Sequence, residues 1–188
     1  FEAECKCKLV QDYYGAMEEM LAKLSAGAKG YDIIVPTGFA IPPLVKQNLV
    51  QALDKAKLPN LVNMWPEIER RVATYDPGSR YSVNYMWGTV GIGYNAGKVR
   101  EILGPEARID SWDTVFKPEN LARFKDCGVY MLDSSEDILA AALNYLGLDP
   151  NSTKAAELER AAALVEAVRP FVRKFHSSEY LNALAGKG

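Results

Sequence analysis

Histidine is almost absent from this sequence: 188 residues hold one, His176. Nucleophilic catalysis needs a base beside a serine or cysteine, so His176, in Phe-His-Ser-Ser, is the sole histidine candidate. No Gly-x-Ser-x-Gly elbow accompanies it. A hydrolase built on His176 is therefore a distant alternative, and the residue reads more simply as a structural or surface group. Cysteine is scarce too, with Cys5, Cys7 and Cys127. An odd number leaves at least one unpaired within the chain. On a strand, Cys5 and Cys7 would point to one face, a poor geometry for bonding each other. They read as plain thiols, and without further Cys or His nearby no metal site is expected.

Long apolar runs are also missing. The longest uncharged stretch, Tyr81 to Lys98, is broken by Asn84, Asn95 and four glycines, and is too polar to span a bilayer. Phe1-Glu-Ala-Glu lacks the basic and apolar regions of a signal peptide, so the start reads as a mature, trimmed or truncated end. No basic stripe accompanies the aromatics and the net charge is −2, which argues against nucleic acid as a partner. Gly88-Thr-Val-Gly91-Ile-Gly93 lacks the spacing of a phosphate loop; glycines in an extended run mark close packing or a bend. No cofactor is implied.

What is present is an ordinary globular composition, 48% hydrophobic and 24% charged, in which strand-like and helix-like patterns alternate. That alternation argues an α/β fold. Residues 7–12 read as a short strand. Met17, Met20, Leu21 and Leu24 have helical spacing, and Gly27 ends that helix. Tyr31-Asp-Ile-Ile-Val-Pro36 reads as a buried parallel strand, followed by a helix from Pro42-Pro43 to about Gln51. Residues 54–80 look irregular, with a turn at Asp76-Pro-Gly. Residues 81–94 should be extended, in two strand pieces around Gly88, and are the place for the chain to pass between lobes. Asn95-Ala-Gly begins a helix to about Leu103, and short helices start at Ser111 and Lys117. A buried strand at 128–133, helices at 134–146 and 154–169, and a last short helix at 177–185 complete the pattern.

Two strand-end clusters are candidates for chemistry. Asp133-Ser-Ser-Glu-Asp137 stands at a strand-to-helix junction, where Ser134 and Asp137 match a capping box. On pattern alone the cap is the simpler reading. The same junction is where open α/β sheets place ligands, and a carboxylate there can accept charge-assisted hydrogen bonds from an ammonium. Thr37 and Phe39 follow the earlier strand. A hydroxyl and an aromatic suit a ligand with amines and a methylene stem, but equally suit a helix cap and a core residue.

Several stretches decide the matter: GYDIIVP, LDKAKLPNL, DPGSRYSVNYMWGTVGIGYN, SWDTVFKPENL, NYLGLDPNSTK and RPFVRKFHSSEYLN. From Phe1 to about Ala185 the chain resembles the putrescine- and spermidine-binding proteins of bacterial ABC importers. The resemblance implies a two-lobed periplasmic binding fold of type II-like plan, each lobe α/β, closing on ligand by hinge motion. It implies a periplasmic protein, freed of its signal, that is not an enzyme and that delivers a linear polyamine to a membrane permease. The alternative is a binding protein for another solute, such as a cationic amino acid or a sugar. Thr37 falls at the family's ligand-contacting hydroxyl, Phe39 where an aromatic packs along the stem, and Asp137 at the acid that binds an amine. Many relatives have glutamate at that acid, so the shorter aspartate alters reach. Ser134 falls where some members carry an aspartate, a charge serine cannot supply. Cys127 stands where some relatives have a cysteine bonded to one beyond this chain's end, in keeping with an oxidising compartment. The family's upstream Trp-Ser-x-Tyr-like strand and downstream Gly-Trp-x-x-Asp-like segment have no counterpart, so the fold is expected to be incomplete at both ends. Residues 1–86 are expected to form part of lobe one, and 87–188 the crossover and part of lobe two.

Overall fold

The structure is a computed structural model that describes residues 1–177 and 179–186. Ser178, within the His-Ser-Ser motif, and the last two positions of the second expected lobe lie outside the described residues. The chain divides into two units, Phe1–Gly88 and Thr89–Gly188.

Unit 1 is built on helix α2 (Met17–Ser25), whose apolar side carries Met17, Met20 and Leu24. These pack with Ala40 and with Leu44 of helix α3 (Ile41–Lys46), and Leu21, Ile34, Phe39, Leu49 and Val50 close around them. Gly27, at φ 89°, ends α2: its amide donates to Leu24 O, and the Ala28 amide to Lys23 O. A left-handed residue lets the last carbonyls of a helix be satisfied in this way. Pro42 and Pro43 open α3 as expected, but the helix stops at Lys46 instead of near Gln51. Asn48 turns to φ 55° and the Leu49 amide folds back to Leu44 O. Residues 54–80 are more ordered than their composition suggests. Short 3-10 turns at Lys55–Lys57 and Pro59–Asn63 lead to helix α4 (Pro66–Val72), with Pro66 in its first turn.

Unit 1 departs from expectation in its strands. Residues 7–12, 31–36 and 81–94, the last running on into unit 2, are extended or irregular, but none is in a ladder. Ile33 and Val35, expected in a buried strand, are 75% and 56% exposed. Tyr14 donates its hydroxyl to Val35 O, and Tyr31 donates to Asp12 Oδ2 at 2.6 Å. Side chains thus hold segments 12–14 and 31–35 side by side without backbone pairing. A parallel strand is buried only when strands flank it and helices cover both faces, and among the described residues of unit 1 no such partners exist.

The N-terminus corrects a second expectation. Cys5 and Cys7 are joined by a disulfide and are not free thiols. They do not lie on a strand: helix α1 (Glu2–Cys5) ends in Lys6 at φ 51°, and this left-handed turn brings the two Cα atoms to 5.3 Å. That separation is within the range a disulfide spans. Cys127 is free and half-buried.

Unit 2 holds the paired strands. β1 (Val129–Met131) and β2 (Val172–Phe175) run parallel, with Met131 opposite Phe175. Between them lie helices α8 (Ser135–Tyr145) and α9 (Ala155–Val168), which pack on each other. Preceding them are α5 (Ala96–Leu103), capped by Asn95, and the short α6 (Asp113–Phe116) and α7 (Pro118–Leu121). Phe116, Ala142, Leu143 and Ala161 form one core, and Leu121, Met131 and Val168 another under the sheet. Trp112 stacks on Phe116 with ring centroids 5.5 Å apart, and Tyr145 meets the same Phe116 ring tilted by 40° at 5.2 Å. Among the described residues, no helix is long and apolar enough to cross a membrane.

The one charged side chain buried among the described residues is Asp76. It accepts the amides of Arg80, Tyr81 and Ser82 at 3.0, 2.9 and 2.8 Å, and the Ser82 hydroxyl at 2.8 Å. Burial pushes its pKa up, but these donors together outweigh burial and hold the carboxyl below the ordinary aspartate value. A depressed native pKa stabilises the fold above the unfolded value, near pH 4, and that stabilisation is lost as the pH falls through the native pKa. Asp76→Ala should therefore destabilise unit 1 by about 2–3 kcal/mol at neutral pH, because three amides lose their acceptor. In urea titrations at stepped pH, Asp76→Asn should lose stability less steeply than the parent below about pH 4.

Candidate functional site

The Ser134–Asp137 cluster is set by how β1 ends. Beyond Met131 the ladder continues for one bond, His176 N–H to Met131 O at 2.9 Å, and the Ser177 hydroxyl donates to Asp133 O at 3.2 Å. These two contacts fix the turn from which α8 rises. Ser134 is the N-cap: its Oγ accepts the Asp137 amide at 3.4 Å, and its carbonyl accepts the Ile138 amide. Ser134 and Asp137 thus stand together at the carboxyl end of β1, each partly buried.

The capping is one-sided. Ser134 caps, but the Asp137 carboxylate makes no hydrogen bond or ion pair among the described residues, so its acceptor capacity is uncommitted. A first-turn carboxylate is favoured by the helix dipole, and one with free lone pairs can accept charge-assisted hydrogen bonds from a cation.

The other cluster lies in unit 1. Thr37 is exposed, donates its amide to Met17 Sδ at 3.4 Å, and makes no capping bond with its hydroxyl. The hydroxyl is not the helix cap that its position allows. Phe39 is half-buried against the α2–α3 core, which agrees with the core reading and still leaves part of the ring uncovered. The Tyr75 ring lies over Gly38, where an added Cβ would come within 2.6 Å of Cδ2. Glycine between Thr37 and Phe39 therefore admits a third side chain to this cluster. The structure brings Thr37 to Phe39 within unit 1 and Ser134 to Asp137 within unit 2.

Sequence reasoning missed Tyr75 and Ser177 as neighbours of these clusters. Tyr75 sits in a region read as irregular, and nothing in the pattern points to it. Ser177 could have been found, because it follows the apolar pair Val172 and Phe175 that frames β2. His176, the one candidate base, accepts the Glu179 amide on Nδ1 at 3.1 Å at the start of helix α10 (Glu179–Ala185). Its Nε2 lies 3.7 Å from Glu179 Oε1. The Lys174 ammonium, hydrogen-bonded to Glu179 at 2.7 Å, holds that carboxyl below its usual value. Among the described residues no three His, Cys, Asp or Glu side chains are grouped to hold a metal.

In unit 2 a hydroxyl and a carboxylate, Ser134 and Asp137, stand at the carboxyl end of a parallel strand, a place where open α/β sheets bind ligands. No protein-family model matches the chain. It is 46% identical over 98% of its length to the putrescine-binding periplasmic protein PotF of Escherichia coli, and 45% identical to SpuD of Pseudomonas aeruginosa. It spans about half the length of these curated relatives, 50% in each case. A solved structure from Listeria monocytogenes, assigned to a spermidine/putrescine ABC transporter, superposes with TM-score 0.80 at 29% identity, covering 100% of this chain and 55% of the other. A spermidine/putrescine substrate-binding protein of Streptococcus pneumoniae gives 0.70 at 25% identity, covering 98% and 53%. The chain is a homologue of the polyamine-binding periplasmic proteins, matching one stretch of about half their length, and carries the corresponding part of their two-lobed fold.

The split between cap and free carboxylate is testable by stability. Ser134→Ala should cost about 1 kcal/mol in urea unfolding, the usual loss for a serine cap. Asp137→Asn should change stability by less than about 0.5 kcal/mol, since no partner is lost.

Proposed function

We propose that this chain is part of the periplasmic solute-binding component of an ABC importer, not an enzyme, and that the whole protein captures a linear polyamine such as putrescine or spermidine. Asp137 anchors one ammonium, Thr37 offers its hydroxyl to an amine, and Phe39 lines the methylene stem. Ser134 supports the site by setting the turn that presents Asp137. In this reading unit 1 belongs to one lobe and unit 2 to the other, and the loaded protein docks on a membrane permease. The observation that carries the reading is the uncommitted Asp137 carboxylate at the carboxyl end of β1, in a chain so close to putrescine-binding proteins.

The chemistry favours an amine over a sugar. An acceptor-only carboxylate pairs with a cation at about 1.5–3 kcal/mol per hydrogen bond, and an aromatic face adds cation–π attraction. A cationic amino acid would satisfy Asp137 equally, but its own carboxylate would need a cationic partner. Neither Thr37 nor Phe39 supplies one.

Calorimetry on the full-length protein with putrescine, spermidine, arginine and maltose separates these classes. The diamine or triamine should bind tightly and maltose not at all; tight binding of maltose alone would rule the proposal out. Asp137→Ala should weaken diamine binding by more than about 1.5 kcal/mol, roughly tenfold. The 188 residues by themselves should bind putrescine no tighter than about millimolar, near −4 kcal/mol. Two or three contacts do not offset the cost of immobilising a flexible, hydrated cation. Micromolar affinity of the isolated chain would show that the other half of the relatives' length contributes little.

A further inference from the structure

We propose that the Cys5–Cys7 disulfide is a thiol–disulfide exchange site, open to small thiols and dithiols and independent of polyamine binding. The two sulfurs are bonded across a single intervening residue. Every residue from Phe1 to Gly15 is exposed, so no packing in unit 1 presses the two cysteines together. What organises the segment is local: the Cys5 amide to Phe1 O at 2.9 Å, and the Leu9 amide to Glu2 Oε1 at 2.7 Å. A loop this short removes little entropy from the unfolded chain, so the bond contributes little to stability. Within the closed loop Lys6, a residue with a Cβ, sits at φ 51°, a region that disfavours side chains. Structural disulfides resist reduction because the fold holds the sulfurs at high effective concentration, and exposed or strained ones are the labile ones. Cys5–Cys7 has the features of the second group.

The exchange is a two-electron step. A thiolate attacks the Cys5 sulfur, forming a mixed disulfide and releasing Cys7 as a thiolate that takes a proton. A second thiolate attacks the reagent's sulfur in that mixed disulfide and releases Cys5. Two thiols become one disulfide, and the protein gains two electrons and two protons as Cys5 and Cys7 thiols. Run in reverse, the pair is re-oxidised by a small disulfide.

The test uses Cys127→Ser, so that only this pair reacts, in glutathione redox buffers with quantitative alkylation and mass measurement. The native chain and the same chain in urea should reach the same degree of reduction within about threefold in equilibrium constant, because folding does not hold the bond closed. Reduction should leave the thermal midpoint unchanged. Cys7→Ser in the same background should take up one glutathione at Cys5 from oxidised glutathione. A native disulfide more than about thirtyfold harder to reduce than the unfolded one would overturn the proposal. So would a midpoint that falls on reduction, or a Cys7→Ser variant that takes up no glutathione.

Discussion

The parallel pairing of β1 with β2 is the constraint from which the candidate site in unit 2 follows. Val129 to Met131 is too short to be stable by itself, and parallel strands need a long crossover between them. Here the crossover is α8 and α9, which bury Ala142, Leu143 and Ala161 against Phe116. Val168 and Met131 seal the underside of the sheet with Leu121. Once the strands are paired, the His176 amide and the Ser177 hydroxyl hold the chain after β1, and α8 can start only at Ser134. The position of Asp137 is thus a consequence of strand register and helix packing, not of any contact made by its carboxylate.

Unit 1 answers the same problem without a ladder. Its core is a helix pair, α2 against α3, and its remaining order comes from side chains closing on backbone: Asp76 on the three amides of 80–82, Tyr14 on Val35. Apolar segments at 31–36 and 81–88 stay largely exposed, with Tyr85 and Met86 at 77% and 70%. Such surface is uncommon on a self-sufficient domain. It accords with a chain that spans about half the length of its relatives.

Helices were legible in the sequence wherever an apolar stripe met a stop signal. Met17, Met20 and Leu24 before Gly27 define α2, and Ser134 with Gly147 brackets α8, because capping and 3.6-residue periodicity are local. Strands were less legible, since a strand depends on partners that local pattern does not contain. Tyr31 to Val35 has the composition of a buried strand but, Ile34 apart, lies exposed, whereas Val172 to Phe175 was passed over and pairs with β1. The Cys5–Cys7 bond was misjudged for the same reason: strand geometry disfavours it, and a left-handed Lys6 that no composition signals permits it. At the candidate site, sequence located the Ser134–Asp137 cap but could not tell which of its two halves forms. The structure shows that the serine half does.

The proposal to be tested is that Thr37, Phe39 and Asp137 take part in binding a linear polyamine in the whole protein. Hydrogen–deuterium exchange on the full-length protein, with and without saturating putrescine, addresses it directly. The account predicts slowed exchange in peptides covering both 36–40 and 133–138, with Asp137→Ala abolishing the second effect. Protection confined to one of these segments, or absent from both while putrescine is bound, would contradict it.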